Sequence, residues 1–148
     1  MRHETEHAER VERWIRQAGD GLSSQQLLEL FEQAMSALWE RTHLTLGTIT
    51  LTAILDRVLY TAAERFPPFE SIKTGEAGID CTRLRDRVKE MSDSQLGEAI
   101  RFVVVEFLSV LGNLTAEILT PALHSELEKV RLVNDPARGS RNGGEGKS

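Results

Sequence analysis

One helix-compatible segment carries a file of polar side chains that could do chemistry. Its members recur at steps of three and four, which places them on one side of a helix, at positions 106, 109, 113, 117, 120 and 124. Glu117 and His124 lie two turns apart and could ligate a metal with help from another helix, as in bundle-core carboxylate sites. Such sites use Glu-x-x-His pairs, and this segment contains none. We therefore interpret the file as a solvated face, with a Glu117 and His124 metal site as the alternative.

His43 is the second candidate. The stretch HLTLG, from His43 to Gly47, resembles the His-x-x-x-Gly core around the phospho-accepting histidine of histidine-containing phosphotransfer domains, which are four-helix bundles. The resemblance covers five residues, and Leu46 stands where that family usually has lysine. It implies a phosphotransfer-like function with His43 as the phospho-acceptor. We keep this as the alternative to a partly buried helical histidine without a chemical role.

The remaining reactive side chains are expected to be structural. His3 and His7 are spaced for one face of an N-terminal helix, and we interpret them as incidental. Cys81 is the sole cysteine, which excludes an intramolecular disulfide and a thiolate metal cluster within one chain. The sequence has no Gly-rich phosphate loop, no His-Glu-x-x-His and no Gly-x-Ser-x-Gly motif. We therefore predict a protein that is not an enzyme and binds no metal or cofactor.

The charge balance limits the classes of partner. The 148 residues carry a net charge of −5, which opposes non-specific attraction to nucleic acid and to anionic membranes. The most apolar segment, residues 102–123, includes Glu106 and Glu117, each of which costs about 2.5 to 3.5 kcal/mol at the centre of a membrane-spanning helix. The N-terminal stretch is densely charged and lacks a secretory signal. We expect a cytoplasmic protein without nucleic-acid or membrane partners.

Hydrophobic periodicity predicts an all-α fold with three parts. Residues 1–20 form a charged amphipathic helix that docks lightly, and residues 22–131 form a helical bundle domain with a loop at 66–80. Residues 132–148 are polar and glycine-rich and are expected to be a disordered tail.

Local signals mark the starts of the main helices and one turn. Two capping boxes begin the helices: Ser23 with Gln26, and Ser92 with Gln95. In the loop, residues 71–73 and 78–80 could pair as a small hairpin, although two isolated strands are marginal in water.

A short string recurs in both halves of the bundle domain. Residues 46–50 read LGTIT and residues 111–115 read LGNLT, which leaves an internal duplication open. Glycine inside a helix costs about 1 kcal/mol relative to alanine, so the placement of Gly47 and Gly112 asks for a reason. Either each glycine ends one helix and starts another, or two long helices run through and bend there. Unbroken helical phase favours continuity, with Pro121 adding a kink to the second helix.

Continuous helices have a consequence for assembly. Forty helical residues extend about 60 Å, which is longer than a domain of this size, so two such helices cannot enclose their own core. We therefore predict an antiparallel helical bundle of two long, kinked helices with shorter ones, completed by homodimerisation. The predicted interface residues are Phe102, Val105, Leu111, Leu114 and Ile118. The predicted function is a regulatory or signalling module that presents helix surface to a protein partner or small ligand.

Overall fold

The computed structural model describes residues 2–75 and 78–132, and this part of the chain is mostly helical. Its α-helices are α1 (Arg2–Gly19), α2 (Ser24–Leu46), α3 (Thr48–Arg65), α4 (Thr82–Arg87), α5 (Asp93–Leu114) and α6 (Thr120–Glu128). Short 3-10 turns cover Pro67–Ser71 and Val88–Glu90, and strands β1 (Lys73–Gly75) and β2 (Gly78–Asp80) form a small antiparallel sheet. Within the described residues, no helix is both long enough and apolar enough to cross a membrane.

Both predicted capping boxes are confirmed. The Ser23 side chain accepts a hydrogen bond from the Gln26 backbone N–H, and the Gln26 side chain accepts one from Ser23 N–H. Ser92 and Gln95 make the same reciprocal pair at the start of α5. Each box satisfies two backbone donors that the first helical turn leaves without an intrahelical partner. The starts of the two longest helices are therefore encoded locally.

The prediction of one continuous helix through Gly47 is wrong. Gly47 has φ 85° and ψ 154°, a conformation that is essentially restricted to glycine and lies far from helical geometry. Its N–H donates to the His43 carbonyl and closes α2, while its carbonyl accepts from Leu51 N–H and opens α3. After α3 the Phe69 ring lies 6.0 Å from the Phe31 ring, centroid to centroid, so α3 returns the chain towards the first half of α2.

The second glycine behaves differently. Helix α5 continues through Gly112 and ends at Leu114, where Ala116 N–H donates to Asn113 and Glu117 N–H donates to Gly112. This pair of bonds is a Schellman C-cap. Pro121 does not kink a long helix as predicted, because it occupies the first turn of α6, where its missing N–H is not needed.

The N-terminal helix is part of the core, in contrast to the light docking that we predicted. Val11, Trp14 and Ala18 are at most 1% exposed. The Trp14 indole N–H donates to the Val130 carbonyl at 3.1 Å, which satisfies its polar atom and fastens α1 to the end of α6. The predicted tail begins with a buried residue, Leu132, and residues 133–148 lie outside the described residues.

The loop at 66–80 contains the small hairpin in a slightly shifted register. Lys73 pairs with Asp80, and Thr74 pairs with Ile79. The hairpin is supported by its neighbours, because Thr74 donates to Asp56 of α3 at 2.7 Å and Gly78 packs beside Trp39 of α2. Packing against helices supplies the stability that two isolated strands lack.

The helix directions bring four chain segments to one end of the molecule. Ser24 hydrogen-bonds to Asp93, so α2 and α5 start together. One groove is lined by residues 53–61 of α3 with Glu106 and Val110, and Arg65 at the end of α3 covers Phe102. Helix α3 is therefore antiparallel to α5, with its start beside the last turns of α5. A second groove joins residues 37–44 of α2 to Glu126, so the last turns of α2 lie beside α6. The end of α2, the start of α3, the end of α5 and the α5–α6 turn therefore meet at the same end.

Candidate functional site

Large apolar side chains remain exposed at that end. Leu44 is 86% exposed, Ile49 87%, Leu114 56% and Ile118 77%. We call these four residues the apolar end. Helix-spaced leucines and isoleucines are normally buried, and an exposed group of them marks a contact surface more often than chance exposure does.

The chain segments around Leu44, Ile49 and Leu114 are uncharged, although Leu44 also lines a groove with Glu40, Arg41 and Glu126 at the edge of the apolar end. Residues 42–55 contain no Asp, Glu, Lys or Arg, and neither do residues 107–116. In a chain with 28% charged residues, a 14-residue run such as 42–55 would on average hold roughly four charges. The exposed polar neighbours are neutral: Thr45, Thr48, Thr50 and Asn113. Depletion of charge around apolar side chains is the compositional mark of the centre of a protein interface.

The residues predicted for a dimer interface divide into two groups. Leu114 and Ile118 belong to the apolar end. Leu111 is fully buried in the protein's own core and offers no surface to a second copy. Phe102 and Val105 are partly buried against the same core, and the Arg65 guanidinium covers the Phe102 ring at 4.8 Å. The helix phase identified apolar positions correctly, but it could not tell which of them the chain covers itself.

A second feature lies directly below the apolar end, where two buried histidines meet. His7 of α1 is 1% exposed and His124 of α6 is 3% exposed, and His7 Nδ1 lies 2.8 Å from His124 Nε2. At that distance one ring nitrogen donates and the other accepts, so one proton lies between the two rings. On the opposite side of the imidazole, His7 Nε2 lies 3.6 Å from Glu117 Oε1. We call His7, His124 and Glu117 the histidine cluster.

The Glu117 carboxylate is held inward by a strained turn. Ala116 and Glu117 have φ of 53° and 63°, a region that costs about 1 to 2 kcal/mol for a residue with a side chain. The strain turns the Glu117 side chain back over Gly112, and a Cβ added to Gly112 would lie 2.6 Å from Glu117 Oε1. The Thr120 hydroxyl donates to Glu117 Oε1 at 2.5 Å. Gly112 thus leaves space for the carboxylate, which an alanine at this position would force to shift, and this accounts for its place inside a helix.

The electrostatic surroundings disfavour a further proton on the cluster. Burial lowers the pKa of His124, and the neighbouring His7 and Arg10 lower it further. Glu6 and Glu128 act in the opposite direction as weaker causes. Arg10 is itself paired with Glu128 at 2.7 Å, which limits its effect on the rings.

The cluster does not have the arrangement of a metal site. His7 faces His124 with Nδ1 and Glu117 with Nε2, so the three groups lie on a line and do not converge on one point. Among the side chains that the structure describes, no group of three His, Cys, Asp or Glu residues could hold a metal ion. The side chain of His3 lies outside that set.

His43 is partly exposed in the last turn of α2, with Nδ1 3.2 Å from the Glu40 carbonyl. Here α2 ends at Leu46, and Gly47 belongs to the turn.

No family model, curated protein or solved structure matches this chain.

The polar file was interpreted as a solvated face, and this is wrong for half of its members. Ser109, Thr120 and His124 are buried, and Glu117 is 20% exposed. The sequence contained a signal for the missing partner: His7, Val11, Trp14 and Ala18 are spaced by four, three and four residues. His7 therefore continues the apolar stripe of α1, and a histidine in such a stripe is positioned for burial.

Proposed function

We propose that this protein is a non-enzymatic, cytoplasmic interaction module in which two copies associate through the apolar end. The observation that carries the proposal is the exposure of Leu44, Ile49, Leu114 and Ile118 at one end, where residues 42–55 and 107–116 hold no charged side chain. Burying such side chains contributes about 1.5 to 3 kcal/mol each relative to leaving them in water. The gain is available only if another surface covers them.

A second copy is the partner that the charges favour. Each copy carries a net charge of −5, so contacts between charged faces would bring like charges together. The apolar end reduces this repulsion, because residues 42–55 and 107–116 hold no Asp, Glu, Lys or Arg and the charged Glu40, Arg41 and Glu126 lie at its edge. An isologous contact, in which the same patch of both copies meets, is also the commonest form of self-association.

The other parts of the proposal follow from the same description. Pairing through one end leaves the long sides of the helices free for a further protein partner or a small ligand. Cys81 is a buried free thiol, which suits a reducing compartment such as the cytoplasm. The histidine cluster is enclosed, so it supports a role within the fold and not the turnover of a substrate.

The test is the mass of the protein in solution. We expect light scattering coupled to gel filtration to give a dimer for the wild type. Replacing Ile118 by Glu places a charge in the contact of both copies, and we expect the dissociation constant to rise by about 100-fold or more, equivalent to about 3 kcal/mol.

The matched control is Tyr60→Glu. Tyr60 is also a large exposed side chain, 70% exposed, but it lies on α3 in a groove with Asp56 and Glu70. This variant is expected to remain a dimer. A monomeric wild type at micromolar concentrations, or equal effects of Ile118→Glu and Tyr60→Glu, would contradict the proposal.

A further inference from the structure

The histidine cluster and the apolar end share one turn. Glu117, which faces His7, is followed directly by Ile118, which is 77% exposed. Leu114, the second exposed residue of this turn, ends α5 three positions before Glu117. The conformation between them includes two residues at positive φ, Ala116 and Glu117. A strained turn of this kind persists only while surrounding contacts hold it.

Backbone hydrogen bonds of the Schellman cap hold the turn, and further contacts meet at the Glu117 side chain. Thr120 donates to its carboxylate, Gly112 leaves room for it, and His7 lies 3.6 Å away. His7 is in turn fixed by His124 at 2.8 Å. One support of the turn that carries Leu114 and Ile118 is thus a buried pair of imidazoles joined by a hydrogen bond.

We propose that the histidine cluster makes self-association through the apolar end dependent on pH, so that acidification releases the α5–α6 turn and weakens the dimer. This inference rests on the proposed function. A second proton on each ring makes both nitrogens of the contact N–H donors, so the hydrogen bond between His7 Nδ1 and His124 Nε2 is replaced by repulsion of two cations. His7 then leaves its position beside Glu117, and the turn loses one of its supports.

The surrounding charges set the direction of the effect. From α1, Glu6 and Arg10 face the pair; from the α5–α6 turn, Glu117; and from α6 itself, Glu128. On the α2 side of α6, Glu40 and Arg41 line a separate groove with Glu126. Burial lowers the pKa of His124 below its ordinary value of 6.5. The folded state therefore binds its proton at lower pH than the unfolded chain, and the stabilisation is complete above about pH 6.5 and declines as the pH falls below it.

Sedimentation equilibrium of the full chain at about pH 7.5 and about pH 5.5 tests the proposal. We expect the dissociation constant of the wild-type dimer to rise by about tenfold or more at the lower pH, because the protonated pair no longer supports the turn. In His124→Gln the amide keeps a hydrogen bond to His7 in either protonation state, so we expect less than about a threefold change. Should that variant lose its helical circular dichroism, His7→Gln is used in the same comparison.

His43→Gln is the control, since His43 lies beside Leu44 and its own charging could disturb the contact. This variant is expected to keep the full pH dependence, and loss of the dependence would assign the effect to His43 and overturn the proposal. An independent readout is the amide resonance of Ile118 in the wild type, which should shift with the same midpoint as the His124 ring. An Ile118 resonance that stays fixed while His124 titrates also overturns it.

The outcomes separate this inference from the proposed function. A wild type that is monomeric at both pH values rules out the proposed dimerisation and, with it, the pH dependence. A wild-type dimer that Ile118→Glu dissociates, but whose dissociation constant is the same at both pH values, removes only the pH dependence.

Discussion

Single residues decide the geometry of the α5–α6 turn. Gly112 lies inside a helix, where alanine would ordinarily be better by about 1 kcal/mol. Its hydrogen is needed because the Glu117 carboxylate occupies the space that a Cβ would take. The glycine is thus explained by a side chain that follows it by five positions and returns over it. Sequence reasoning had recognised that the glycine needed a reason, but it assigned the reason to a helix bend.

A pair of alanine substitutions tests this explanation at the residue scale. Gly97 lies in the same helix with nothing within 4 Å of an added Cβ, so Gly97→Ala is expected to raise the free energy of unfolding by up to about 1 kcal/mol. Gly112→Ala displaces the Glu117 carboxylate from Thr120 and His7. We expect this substitution to lower the free energy of unfolding by about 1 to 2 kcal/mol. Urea unfolding measures both. Equal stabilisation by the two substitutions would show that Glu117 does not depend on the gap at Gly112.

At the scale of elements, the prediction from the sequence and the observed structure differ at the break between α2 and α3. The apolar positions continue in phase across Gly47, and Leu51, Leu55 and Val58 are indeed buried. Hydrophobic periodicity indicates which helix faces pack on the core. Two helices that pack on the same core can keep the same period across the turn that joins them. The change of direction depends on one residue with positive φ, Gly47, and hydrophobic periodicity carries no information about the backbone φ.

The sign of the change in the free energy of unfolding caused by Gly47→Ala tests the break between α2 and α3. Nothing lies within 4 Å of a Cβ at this position, so any effect comes from the backbone. A φ of 85° with a ψ of 154° is strained for alanine, and we expect the free energy of unfolding to fall by about 1 to 3 kcal/mol. In a continuous helix the same substitution would raise it by about 1 kcal/mol. Thermal or urea unfolding beside the neighbouring variant Thr48→Ala distinguishes the two.

The two repeated strings also differ at this scale. Ser92 follows Ser23 by 69 positions, whereas Gly112 follows Gly47 by 65. Counted from its capping serine, Gly112 therefore comes about one helical turn earlier than Gly47 does. Gly112 lies inside α5, whereas Gly47 follows the end of α2, so the two glycines serve different purposes. Capping boxes, helix faces and the small hairpin were predictable because their signals are local. The His7 to Glu117 contact was not, because it joins segments 110 positions apart.

At the scale of the whole molecule, the chain encloses its own core. Helix α1 supplies Val11, Trp14 and Ala18, and α3 returns along α2, so the argument that two long rods need a second copy to cover them does not hold. The proposed association instead rests on the end that carries the exposed Leu44, Ile49, Leu114 and Ile118. The account predicts an elongated dimer, with the two starts of α5 at its outer ends.

The most direct test is the distance between nitroxide labels in the two copies, measured by pulsed electron resonance at Thr45→Cys and, separately, at Ser94→Cys. Both positions are exposed, and burial both shields Cys81 and raises the pKa of its thiol, so it stays unlabelled in the folded protein. Helix α5 is about 33 Å long at about 1.5 Å per residue. End-to-end pairing predicts labels at position 45 within about 30 Å of each other and labels at position 94 beyond about 50 Å. Labels that are close at position 94 and distant at position 45, or no coupling at either, would contradict association through the apolar end.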